Sequence, residues 1–152
     1  MTGRHSEGGG CGCKWHTGAL WAARIVIAVI LLPTLAFKFG YATETQAIFD
    51  AIGGRPAATL TGVLELIAVV LLFVPRTVWV GAVVVAGLMG GAIMSHLTVL
   101  GIAVTTNPAT GETDGGQLFA MATTALAMAI IVLWLRRRDI PSPGGSSATA
   151  SA

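Results

Sequence analysis

The chain has 152 residues, 54% apolar and 11% charged, whereas a soluble domain carries about 25% charged residues. Too few polar side chains remain to cover a water-facing surface, so an ordinary soluble fold is excluded and the length allows a single membrane-embedded domain. The net charge of +2 is small, and the basic residues flank apolar runs instead of forming a patch, which excludes nucleic acid as a partner.

Residues 1–18 (MTGRHSEGGGCGCKWHTG) are glycine-rich and polar, and are expected to be disordered. They hold both cysteines, Cys11 and Cys13, with His5 and His16 nearby. A Cys-x-Cys with flanking histidines is a weak candidate for a soft metal or for redox chemistry. Its spacing is not that of a standard zinc site and no second cysteine pair exists. Reduced thiols in a cytoplasmic tail are the favoured reading.

The first apolar run predicts a helix over about 19–40. It is of full spanning length, so no cleaved signal peptide is expected. Trp15 and Trp21 stand near its start as headgroup anchors, Pro33 is expected to kink it, and Arg24 and Lys38 lie towards its two ends. Residues 41–56 form a loop in which Ala47, Ile48, Phe49 and Ile52 suggest a short amphipathic turn on the surface. A second helix is expected over about 57–74. After a tight turn at Val74-Pro75-Arg76-Thr77, a third runs antiparallel over about 78–100. Gly87 and Gly91 form a small-xxx-small pair on it, which predicts close packing against another helix. Residues 101–116 make a polar loop, and a fourth helix covers about 117–135, ending in Arg136-Arg137-Arg138. The low-complexity tail at 139–152 is expected to be disordered. The fold class is therefore all-α, a four-helix transmembrane bundle in antiparallel up-down order.

An even number of spans places both termini and the Pro75 turn on one side. That side holds Arg4, Lys14, Arg24, Arg76 and Arg136 to Arg138, seven of the nine basic residues. The positive-inside rule then puts both termini in the cytoplasm. Glu65 enters roughly 12 Å below the opposite face and His96 about one turn below it, at about 1.5 Å per residue. Lys38 is within a turn of that face, and Gln117 opens the fourth helix there. A carboxylate inside lipid must be paired, protonated or wet. Lys38, Glu65, His96 and Gln117 are accordingly candidates for ligand binding or proton handling, and a polar pin that only fixes packing is the alternative. No nucleophile triad, phosphate-binding loop or complete metal-ligand set is present, so catalysis by this chain alone is not expected.

Three phrases resemble the DoxX family of four-helix bacterial membrane proteins: Thr61-Gly62-Val63-Leu64-Glu65-Leu66-Ile67, Val74-Pro75-Arg76, and Gly87 to Leu97 (GLMGGAIMSHL). Gln117 to Ala122 (QLFAMA) is similar as well, and Lys38 matches the family's lysine, with Leu35-Ala36-Phe37 before it where a glycine is common. The resemblance spans about residues 24–138. It implies a bacterial inner-membrane protein acting as an accessory subunit of respiratory or thiol redox systems. A quinone ligand and a membrane oxidoreductase partner or a homo-oligomer, in a lipid environment, go with that implication. Quinone would occupy an apolar cleft with one or two polar groups for its carbonyls. A small transporter or proton-relay protein and a non-catalytic assembly or scaffold protein remain as rival readings.

Overall fold

Four apolar runs become four long helices. The structure, a computed structural model, describes residues 11–107 and 109–137. Helix α1 spans Cys11–Gly40, α2 Thr43–Phe49, α3 Gly54–Phe73, α4 Val78–Ser95 and α5 Gln117–Leu135, while a π-helical turn, His96–Leu100, extends α4. Between α4 and α5 lies a small antiparallel pair, β1 Thr105–Asn107 and β2 Glu112–Thr113. Four segments are long and apolar enough to cross a membrane: Trp15–Gly40, Gly54–Phe73, Val78–Leu100 and Gln117–Leu135.

Helix α1 begins earlier than the expected residue 19. Residues 11–18 continue its hydrogen-bond ladder despite their glycines, because extending an existing helix avoids the cost of nucleating a new one. Cys11 and Cys13 therefore stand on the first turn of α1 and not in a disordered tail. Residues 1–10 and 138–152, with His5 and Arg138, lie outside the described residues. Pro33 is exposed within α1 and does not end it.

The helices form a ring in which α1 and α4 each pack on both α3 and α5. Lipid tails are as apolar as the side chains, so association depends on close van der Waals contact. The centre is accordingly rich in alanine: Ala58, Ala68, Ala82, Ala125 and Ala129 have no exposed surface, beside the larger Ile27, Leu72, Val85 and Val132. Helices α3 and α4 come into close contact at Gly81, where an added Cβ would meet Leu72 N at 2.8 Å, Ala68 O at 2.9 Å and Leu71 C at 3.0 Å. The tight turn at Pro75 holds α3 and α4 together at this end, called here the terminal end.

The other end, the loop end, is capped. Tyr41 turns the chain out of α1 with φ of 49°, and Thr45 Oγ1 donates to Phe37 O at 3.1 Å. Helix α2 then packs on α3 and β1. Phe49 and Thr45 are buried, so the amphipathic segment expected to lie on the surface docks over the bundle instead.

Candidate functional site

Under this cap the bundle encloses a cavity of about 360 Å³. Thr34 and Lys38 reach it from α1, Thr61 and Glu65 from α3, Ser95 and His96 from the far end of α4, and Leu118, Met121 and Ala122 from α5. Ile48 and Phe49 of α2 form part of its roof. Lys38, Glu65 and His96 thus line one cavity, from three separate spans.

Helix α1 approaches α3 at Gly62, where an added Cβ would lie 3.4 Å from the Phe39 ring and 3.6 Å from Lys38 Cβ. Glu65 is one turn further on the same face of α3. This proximity lets Lys38 Nζ bind both carboxylate oxygens at 2.5 Å each. The Glu65 side chain is 2% exposed and that of Lys38 15%, so the pair is withdrawn from the surface. Thr34 Oγ1 donates to Leu31 O at 2.8 Å and lies 3.4 Å from Glu65 Oε2.

His96 is buried and stands edge-on to Phe119, with ring centroids 5.8 Å apart at 80°. Its Nδ1–H donates to Gly101 O at 2.9 Å. A carbonyl can only accept, so this bond assigns the proton to Nδ1 and leaves Nε2 as the nitrogen available to a ligand. The π-helical turn brings Gly101 back within reach of the ring, and such turns are frequent at functional sites.

The cavity's hydroxyls are already committed. Thr61 donates to Ala57 O at 2.7 Å and Ser95 to Gly91 O at 3.0 Å. Lys38 Nζ retains a third N–H beyond the two facing Glu65. The polar groups left for a ligand are therefore the Lys38 ammonium, the Glu65 carboxylate and His96 Nε2, set in otherwise apolar walls.

Two expectations need correction. Gly87 and Gly91 do not pack against another helix: a Cβ on either would meet nothing within 4 Å, and both are exposed where they line the cavity. The reason is rotation. At about 100° per residue, Gly87 and Gly91 stand well round α4 from Gly81, the glycine that faces α3, so their bare backbone borders the open side of the cavity. Gln117 also stands apart from the cavity. It is exposed at the start of α5, with Nε2 3.9 Å from Met121 Sδ, while Leu118 and Met121 turn inwards. No group of three or more His, Cys, Asp or Glu among the described residues is arranged to hold a metal.

Two contributors were overlooked in the sequence. Thr34 is one turn before Lys38, a spacing that places both on one face of α1. Asp114 precedes the start of α5, where acidic residues commonly cap free N–H groups. Its Oδ1 accepts from Val104 N at 2.7 Å and Gly116 N at 3.1 Å, and its Oδ2 from Leu118 N at 2.9 Å. It thereby ties the loop after His96 to α5.

Burial alone would raise the Asp114 carboxyl, but the bonds from Leu118, Gly116 and Val104, with nearby His96, together hold it below its ordinary value. A carboxyl that titrates lower when folded contributes stability above its unfolded pKa, about 3.9, and loses it as pH falls through the folded value. Asp114→Asn should therefore lower the melting temperature at neutral pH, with the gap to wild type closing as pH falls below about 4. A gap that stays constant between pH 7 and 3 would show that the charge of Asp114 is irrelevant.

The four long apolar helices define a multi-pass membrane protein. No protein-family model, curated protein or solved structure matches the chain.

Proposed function

We propose that this chain is an accessory subunit of a membrane oxidoreductase, of the DoxX type that its motifs resemble, and that it binds quinone in the loop-end cavity. The supporting observation is the cavity itself: about 360 Å³, within the usual range of about 300–1,000 Å³ for small-molecule sites, with apolar walls and a few polar groups. A quinone ring needs donors at its carbonyl oxygens. The third N–H of Lys38 serves one, and His96, once Nε2 carries a proton, serves the other. Lys, Glu and His side chains move protons but not electrons, so the electrons come from the partner enzyme. The opening beside Gly87 and Gly91 gives an isoprenoid tail a route into lipid.

The proposed setting is the bacterial inner membrane with both termini cytoplasmic, because seven of nine basic residues then lie inside. This orientation places the cavity in the outer leaflet. The same three groups would also serve a proton relay or small-solute carrier.

A photoreactive quinone should label peptides around Glu65 or His96, and unlabelled quinone should compete. His96→Phe, which removes one ligand hydrogen bond, should weaken binding about tenfold. Diffuse labelling of lipid-facing helix surfaces without competition would end the quinone reading. Glu65-dependent proton flux in quinone-free liposomes would replace it with the relay.

A further inference from the structure

At the terminal end of the bundle, Arg24 is 3% exposed. Its Nε is sealed within the protein with no hydrogen-bond partner among the described residues. The Nη groups make no hydrogen bond to a described residue either, but they are not sealed in the same way. Among the described residues the guanidinium's close partner is the face of Trp21, with Cζ 5.2 Å from the ring centroid. Arg136, at the end of α5, is near enough to repel it.

No carboxylate pairs with Arg24 among the described residues. Glu44, Asp50, Glu112 and Asp114 lie in the loop-end segments, and Glu65 is bound by Lys38. A buried cation without an anion is strongly disfavoured, and in lipid the cost is met by pairing or by reaching the interface. Helical side chains lean towards the helix N-terminus, so Arg24 leans towards the membrane face where α1 begins. Arg136 and Arg137 end α5 at that face, with the Arg137 guanidinium 5.3 Å from the Trp134 ring centroid. Tryptophans mark the headgroup level.

We propose that Arg24, backed by Trp21, binds a phosphate-bearing anion at this membrane face, supplied by a lipid headgroup or by free phosphate. The forked N–H groups of a guanidinium match two phosphate oxygens, and such charge-assisted bonds are strong. Basic pockets between spanning helices are known to take anionic headgroups in this way. This site is separate from the loop-end cavity and does not depend on quinone binding.

The test uses the full chain, purified in mild detergent and stripped of lipid. Phosphatidylglycerol, phosphatidylcholine or inorganic phosphate is then added, with binding read by native mass spectrometry and stability by melting temperature. Wild type should bind phosphatidylglycerol and melt higher. Arg24→Met should bind at least about tenfold more weakly and gain no stability. Without any anion it should melt no lower than wild type, since it removes an unpaired buried charge. Arg24→Lys should fall between them, and it carries the comparison if Arg24→Met does not purify.

A shift larger with phosphatidylglycerol than with equal phosphate assigns the lipid, and an equal shift assigns free phosphate. Both support the site if Arg24 is required. Equal binding and equal shifts in wild type and both Arg24 variants overturn it. The chain's own Glu7 and Asp139 are tested with Glu7→Gln/Asp139→Asn. If that variant loses stability only when Arg24 is present, the anion is internal and the proposal is wrong.

Discussion

Lys38→Met destabilises the protein by about 3–5 kcal/mol, and adding Glu65→Gln to the same chain returns most of that loss. The expectation rests on an asymmetry between two partners. Glu65 is 2% exposed inside the bundle, and with Lys38 gone its remaining hydrogen-bond partner among the described residues is Thr34 Oγ1, 3.4 Å away. A buried carboxylate in that position has lost its cation, and removing one member of a buried pair costs more than the pair contributed. Lys38 has more freedom. Its side chain is 15% exposed, and it stands near the end of α1, so after Glu65→Gln it can turn towards the loop end. Glu65→Gln alone should therefore cost less, about 1–3 kcal/mol. Thermal unfolding of the two single variants and the double variant, in one detergent, closes the cycle. A silent Lys38→Met, or a double variant that simply adds the two losses, would remove the ion pair as a structural element.

The second large effect contrasts two kinds of glycine on one helix. Gly81→Ala places a Cβ 2.8 Å from Leu72 N and 2.9 Å from Ala68 O. These are backbone atoms, so no rotamer change relieves the clash and α3 and α4 must separate. Overpacking of this kind costs about 3 kcal/mol, the upper part of its usual range. Gly91→Leu adds far more volume and yet should cost less than about 1 kcal/mol, because nothing lies within 4 Å of its Cβ and leucine is the better helix former. Its effect should appear in ligand binding instead. A leucine at 91 narrows the side opening, so a long-tailed quinone should bind at least about tenfold more weakly while a tail-less analogue is spared. If Gly91→Leu unfolds the protein and Gly81→Ala does not, the placement of Gly81 on the packed face of α4 and Gly91 on its open face is wrong. If Gly91→Leu weakens both quinones equally, entry is not through that opening.

The four spans were legible in the sequence because hydropathy is a property of each stretch by itself. The same holds for the turn at Pro75 and for the segregation of basic residues towards one end. Even the shared depth of Lys38, Glu65 and His96 followed from counting residues, since helical rise is nearly constant. What counting could not provide was rotation and separation. Gly87 and Gly91 present a bare stripe of backbone, but whether a helix, lipid or a cavity faces it depends on how α4 is rotated against its neighbours. Gln117 has the right depth and the wrong azimuth, one residue away from the inward-facing Leu118. The bonds of Asp114 to Val104, Gly116 and Leu118, and of His96 to Gly101, join backbone that comes together only when the loop folds over the bundle. The start of α1 at Cys11 depends on cooperativity: a polar, glycine-containing segment with little helix preference of its own extends a helix already built in the apolar run beside it. Local chemistry determined which segments enter the membrane, and packing between helices decided which of their side chains meet, because the distance between two helices is written in neither of them alone.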